Sequence, residues 1–171
     1  VFIVKKFAPS AQGHGTEKVI EAVHKNSGKI NISVVPTKLF ATVLTIFAGG
    51  SVGKEGPGAQ IGASLASFIA MKLNFSNRDR KKIVICGISA GFASVFGTPL
   101  AGAIFGVEIL IVGALMYDIL LPSVVAGFSA FLVAKMFGIN YTYFYIAFYS
   151  SFDFNYVLLS KVILGGIFFG L

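Results

Sequence analysis

The chain has 171 residues, 56% of them hydrophobic and 12% charged, with a net charge of +7. An ordinary soluble domain carries about 25% charged residues, so this composition, with a mean hydropathy of +0.83, cannot cover a water-facing surface and implies a membrane protein. The single cysteine, Cys86, excludes an internal disulfide and a cysteine metal cluster.

The chain opens at Val1-Phe2-Ile3-Val4 without a visible signal peptide and stops within the apolar run Val162–Leu171. We therefore expect a fragment of a longer protein, with residues 1–171 forming part of one transmembrane domain and no soluble domain. After Gly13-His14-Gly15-Thr16, Glu17 and Glu21 are four residues apart among Val19, Ile20, Ala22 and Val23, which predicts a short amphipathic helix. Gly28 and Pro36 bracket a loop. Pro36-Thr37 then opens an apolar helix over Leu39–Ala48, ended by Gly49-Gly50. The next helix begins at Glu55–Pro57, with Pro57 in the first turn where a missing N–H is harmless, and runs through Met71.

The densest basic cluster is Asn77-Arg78-Asp79-Arg80-Lys81-Lys82, and a second basic region spans Lys18, Lys25, Lys29 and Lys38. Basic clusters also serve nucleic-acid binding, but between apolar runs membrane topology explains them better, and residues 78–82 are predicted to be a cytoplasmic loop. Residues 83–107 carry no charge and could cross a bilayer, which takes about 20 residues. Gly87, Gly91, Gly97 and Pro99 interrupt them, so the run divides into helices over 78–93 and 99–112 joined by Ser94–Thr98. Ile119–Phe137 is the simplest spanning segment, with Pro122 in its first turn and Lys135 near its end. The aromatic stretch Tyr141–Tyr156 reads as an interfacial loop or short helix, and a last helix starts near Asn155.

Glu55 is the most informative residue. Apart from Lys54 it has no charged neighbour, and Leu39–Val52 and Gly56–Ala70 carry no charge. An ionisable group at membrane depth costs roughly 2.5–3.5 kcal/mol on insertion and by default marks an ion or proton pathway. The glycines of Gly53-Lys54-Glu55-Gly56-Pro57-Gly58 leave bare backbone amides, and a helix N-terminus favours anions. Carboxylate and anion would then compete for one place. The plainer alternative is a first-turn acid that satisfies local N–H groups. A phosphate loop does not fit, because only three residues separate Gly49 from Gly53-Lys54 and Glu55 occupies the hydroxyl position of that motif. Short apolar helices beginning at glycine or proline are how transporters bring helix ends to the bilayer midplane. Gly13–Thr16 and Gly53–Pro57 are the two chemically distinctive starts.

Gly53-Lys54-Glu55-Gly56-Pro57 resembles the Gly-Lys/Arg-Glu-Gly-Pro signature of the CLC family of chloride channels and proton-coupled anion exchangers. Phe96-Gly97-Thr98-Pro99-Leu100-Ala101-Gly102 and Phe105-Gly106-Val107-Glu108 resemble the family's next segment, and Gly13-His14-Gly15-Thr16-Glu17 is more loosely similar to its Gly-Ser-Gly-Ile-Pro motif. The resemblance covers most of residues 8–137. It implies an all-α integral membrane fold of broken, tilted and re-entrant helices, arranged in inverted repeats of which this chain holds part. It further implies a homodimer in which each subunit moves chloride through its own path. Glu55 would be the gate; Gly13, His14, Gly15, Lys54, Glu55 and Gly56 would bind the anion. No metal, other cofactor, nucleic-acid partner or enzymatic activity is expected.

Two departures from the family pattern bear on mechanism. His14 stands where many members have serine and Glu17 where they have proline, so an imidazole or backbone amide replaces a hydroxyl donor, with pH dependence near neutrality as one consequence. A loop histidine that touches no ion is the alternative. Ile109 occupies the place of an inner proton-relay glutamate, with Glu108 one residue, about 100° on a helix, away. Glu108 and Ile109 are thus the candidates for an inner proton path, and the mismatch favours a channel slightly over a proton-coupled exchanger. Transport of fluoride or nitrate on the same scaffold is a further alternative. A membrane enzyme using Glu55 and His14 as acid and base lacks a nucleophile or metal ligands to go with them.

Overall fold

The computed structural model describes residues 4–5, 8–109, 117–141 and 156–170, and the chain divides into two compact units, Val1–Tyr141 and Thr142–Leu171. Among the described residues all regular structure is helical. The first unit holds a 3-10 turn, Pro9–Ala11, followed by α1 (Thr16–Lys25), α2 (Val34–Phe47), α3 (Glu55–Lys72), α4 (Asn77–Phe96), α5 (Pro99–Glu108) and α6 (Tyr117–Met136). The second unit contributes α7, Tyr156–Gly170, an apolar helix whose described side chains are exposed.

The helix α4 is central, packing against α3, α5 and α6. Its apolar side chains Val84, Ile85 and Ile88 are buried, with Val19, Ala59, Ala63, Val107 and Ile119 around them. The backbones of α3 and α4 touch: a Cβ added at Gly62 would overlap the Gly87 carbonyl, and one at Gly91 the Gly58 carbonyl. The small residues along this seam let the two backbones approach, so the helices are held by close van der Waals packing. The outward faces of α2 and α6 are largely apolar, with Phe40, Phe47, Leu121 and Leu132 exposed. Of the described helices, α6 alone is long and apolar enough to cross a membrane, with a mean hydropathy of 1.9; α2, α5 and α7 are apolar but shorter.

Several predicted boundaries move. The helix α2 starts at Val34, five residues before the expected Leu39, because Pro36 lies inside the first turn, where proline has no hydrogen bond to lose. Residues 78–82, expected both as a basic loop and as the start of the 78–93 helix, are the opening turns of α4, which begins at Asn77. Ser76 caps that helix, its Oγ accepting from the Asp79 amide at 3.2 Å and donating to the Asp79 carboxylate at 2.7 Å. The same helix runs to Phe96, so the break before α5 is only Gly97-Thr98. Gly97 is left-handed (φ +71°) and its N–H returns to Ala93 O at 2.8 Å, terminating the helix. Described α5 ends at Glu108, and residues 110–112 of the expected helix lie outside the described residues. Pro122 falls in the second turn of described α6 rather than the first. The Tyr141–Tyr156 stretch lies mostly outside the described residues.

Candidate functional site

The amphipathic pattern of α1 buries Val19, Ala22 and Val23 and so fixes where its N-terminus points. Gly15 is the N-cap, with φ +102°, and Gly13 also has positive φ, +82°. Only glycine takes these conformations readily. The 13–15 segment therefore turns sharply and lays its backbone on the start of α3. A Cβ on Gly15 would come within 2.8 Å of Gly56 O, and one on Gly56 would overlap His14 O. Two helix N-termini, far apart in sequence, thus meet backbone to backbone at glycines.

Glu55 is the first residue of α3, with Lys54 as N-cap. The Gly58 N–H already bonds Lys54 O at 3.1 Å, and Pro57 has no N–H. The amides of Glu55 and Gly56 are therefore first-turn donors without an intrahelical acceptor. Glu55 is exposed, as is His14, and the two line a cavity of about 400 Å³ together with Gly13, Gly56, Lys38, Thr42 and Ser51. Of the predicted anion-binding residues, Gly13, His14, Glu55 and Gly56 share this cavity. Gly15 is buried beneath it against Gly56. Lys54 is drawn aside, its ammonium 5.3 Å from the centroid of the Phe96 ring, a cation–π contact that ties the N-cap to the end of α4.

Glu108 and Ile109 sit elsewhere. Glu108 is an exposed residue at the end of α5, while Ile109 packs against the apolar core beside Val19, Ile20, Ala59 and Ile88 in a gap too small for water. Neither lines the cavity that holds Glu55.

Two supporting side chains were not singled out from sequence. Lys38 is buried and its Nζ donates to Ala11 O at 3.0 Å and Gly13 O at 2.8 Å, holding the segment before α1. Gln60, one turn beyond Glu55, donates from Nε2 to Ser10 O at 2.9 Å; its Oε1 is buried without a partner. The lone-charge argument that selects Glu55 applies equally to Lys38, which borders the uncharged run Leu39–Val52, but grouping it with the basic region concealed that.

The family model "Voltage gated chloride channel" matches residues 1–171. A chloride/fluoride channel protein of Pseudomonas syringae pv. tomato is 42% identical over 132 residues, covering 77% of this chain and 29% of that protein. The voltage-gated ClC-type chloride channel ClcB of Yersinia pseudotuberculosis is 35% identical over 117 residues, 68% of this chain and 28% of its own. The H(+)/Cl(-) exchange transporter ClcA of Salmonella arizonae is 32% identical over 108 residues, 63% and 23%. The crystal structure of a CLC-type fluoride/proton antiporter superposes with a TM-score of 0.87 at 27% identity, covering 99% of this chain and 42% of that one. The chain thus spans less than a third of the length of these three relatives, and it belongs to the family of voltage-gated chloride channels, the CLC proteins, which are integral membrane channels and transporters rather than enzymes.

Proposed function

We propose that this chain forms part of a subunit that carries chloride across a membrane, along the cavity between residues 13–15 and the start of α3, with Glu55 as its gate. The observation that carries the reading is the meeting of two helix N-termini at Gly15 and Gly56 beside an exposed carboxylate. Unpaired N–H groups and aligned peptide dipoles at a helix start favour a negative charge of either origin. An ionised Glu55 can fill that place itself. Protonated or swung outward, it leaves the Glu55 and Gly56 amides to a halide. Gly13, His14, Gly15 and Lys54 would frame the bound ion. Residues 1–171 would belong to one transmembrane domain of a homodimer, with residues 78–82 at the cytoplasmic face, where basic residues concentrate.

A channel mode is supported by the dry, apolar seat of Ile109, which offers no proton-carrying group. Proton-coupled exchange is supported by the names of the Salmonella relative and the structural neighbour, with the exposed Glu108 as the nearest acid to that position. The neighbour and the Pseudomonas relative likewise make fluoride a candidate ion. Chloride efflux from proteoliposomes holding the full-length protein, recorded together with proton movement, separates the modes. Uphill proton movement means exchange; chloride movement alone means a channel. Fluoride or nitrate outcompeting chloride at equal concentration would replace chloride as the substrate.

A further inference from the structure

The turn between α3 and α4 is held in place by its own backbone. Leu73, Asn74 and Phe75 return their N–H groups to the carbonyls of Ile69, Met71 and Ala70 at 3.0, 3.1 and 3.0 Å, with Asn74 left-handed at φ +55°. Ser76 then caps α4. Despite this order the turn is apolar and open: Leu73 is 63% and Phe75 41% exposed. They continue a row of exposed side chains on one face of α3, Leu65, Phe68 and Ile69.

Cations gather round the same turn. Lys72 precedes it and Arg78 follows it, both exposed. The loop after α1 brings Lys29 to this end of the bundle, because Ser27 O accepts from Arg80 and a Cβ on Gly28 would lie 3.4 Å from Lys81 Cα. The acids at this end are engaged: Glu21 with Lys18 and Lys25, Asp79 with Ser76 Oγ, and Asp118 with Lys82 and, least, with Arg78. Among the described residues, Lys29, Lys72 and Lys81 have no ion-pair partner.

A soluble anion would satisfy the cations and leave Leu73 and Phe75 in water. A neutral lipid would cover the apolar side chains and leave the cations unpaired. An acidic lipid supplies both halves, acyl chains for the first and a net negative phosphate for the second. We propose that the α3–α4 turn is a docking site for acidic glycerophospholipids, with the headgroup phosphate held between Lys72 and Arg78 and the acyl chains against Leu73, Phe75 and the row on α3. This rests on the membrane location of the family and is independent of the gate at Glu55.

The test is lipid binding by the full-length protein in neutral detergent, titrated with dioleoylphosphatidylglycerol, dioleoylphosphatidylcholine or inorganic phosphate, and read by native mass spectrometry and thermal melting. Wild type should bind phosphatidylglycerol in preference to phosphatidylcholine and melt higher with it, and inorganic phosphate should not displace it. A basic residue near an anionic headgroup is worth about fivefold in binding, so Lys72→Gln/Arg78→Gln should weaken phosphatidylglycerol about twenty-fivefold and leave phosphatidylcholine unchanged. Leu73→Ser/Phe75→Ser keeps the charges and should weaken both lipids. Lys135 is an exposed cation at the end of α6 remote from Asp118, and Lys135→Gln should stay within about twofold of wild type. Equal binding of the two lipids by wild type overturns the proposal, as does an unchanged preference in the double glutamine variant or unchanged binding in the double serine variant. An equal loss in Lys135→Gln would mean attraction to net charge alone, and displacement by inorganic phosphate would make a soluble anion the occupant; each overturns it too. Should the double glutamine variant not fold, Lys72→Gln alone must lose about fivefold, and wild-type binding there overturns the site.

Discussion

The two ends of α3 use similar polar devices and finish them differently. At the C-terminal half, Ser67 Oγ donates to Gly28 O at 2.7 Å and accepts from the Ile30 N–H at 2.9 Å, while Arg80 Nε donates to Ser27 O. Each of these groups has its partner, and the loop after α1 is fastened to the helix. At the N-terminal end, Gln60 and Lys38 fasten the segment before α1 through Ser10, Ala11 and Gly13, yet polar capacity is left over. Gln60 Oε1 is orphaned, and the amides of Glu55 and Gly56 have no helical acceptor. Buried polar groups are normally paired, so the free Glu55 and Gly56 amides are consistent with the proposed anion site, whereas Gln60 Oε1 is itself an acceptor and does not line the cavity of Glu55. The other end is architecture.

The sharpest way to break this contrast is at the glycine contact. Gly56→Ala would drive a Cβ into the His14 carbonyl, backbone against backbone, with nothing flexible to yield. Overpacking of this kind costs about 3 kcal/mol. We expect loss of flux together with a large fall in thermal stability of the purified protein. A stable, transporting Gly56→Ala would mean that the two helix starts are not in contact.

Arg80→Met probes the architectural end. It leaves Ser27 O and Asn77 without their donor, and should destabilise the protein by about 2 kcal/mol without moving the half-saturating chloride concentration. Thermal melting and flux measured on one preparation check both halves of that statement. A shift in chloride affinity would erase the distinction between the two ends.

The smallest effect belongs to Glu21, on the exposed face of α1. Its hydrogen bond and attraction to Lys18, followed by Lys25, hold its carboxyl below the usual carboxylate range. A depressed folded value contributes stability that is complete above the unfolded value and is lost as pH falls through the folded one. Glu21→Gln should therefore flatten a slight acid-side loss of stability, measured by melting between neutral pH and pH 3, and leave flux at neutral pH unchanged. An identical acid limb in the variant would show that the pair contributes nothing.

Much of the site was legible because it depends on local chemistry. Gly13, Gly15 and Gly56 sit where backbone geometry admits no side chain, and Glu55 is an isolated charge, so composition and spacing point to both helix starts. That the starts touch each other is a long-range fact that motif order can suggest but spacing cannot derive. Pro36 illustrates a local signal with two readings: it marks either a helix entrance or a first turn already under way, and residues 34 and 35 are helical before it. The basic residues 78–82 carried two readings, a loop from their charge and the start of a helix over 78–93, and the cap from Ser76 and Asp79 decides for the helix. Lys38 was hidden by its neighbours in sequence. Its function as a clamp depends on carbonyls 25 and 27 residues earlier, which no periodicity reveals.

The claim on which the account turns is that Glu55 competes with the transported anion for the start of α3. The most direct test compares the pH dependence of chloride flux in proteoliposomes for wild-type and Glu55→Gln full-length protein. The account predicts that Glu55→Gln, which keeps the side chain's shape but has no charge to compete with the anion, alters both the chloride flux and its dependence on pH. Identical rates and identical pH profiles in the two proteins would contradict it.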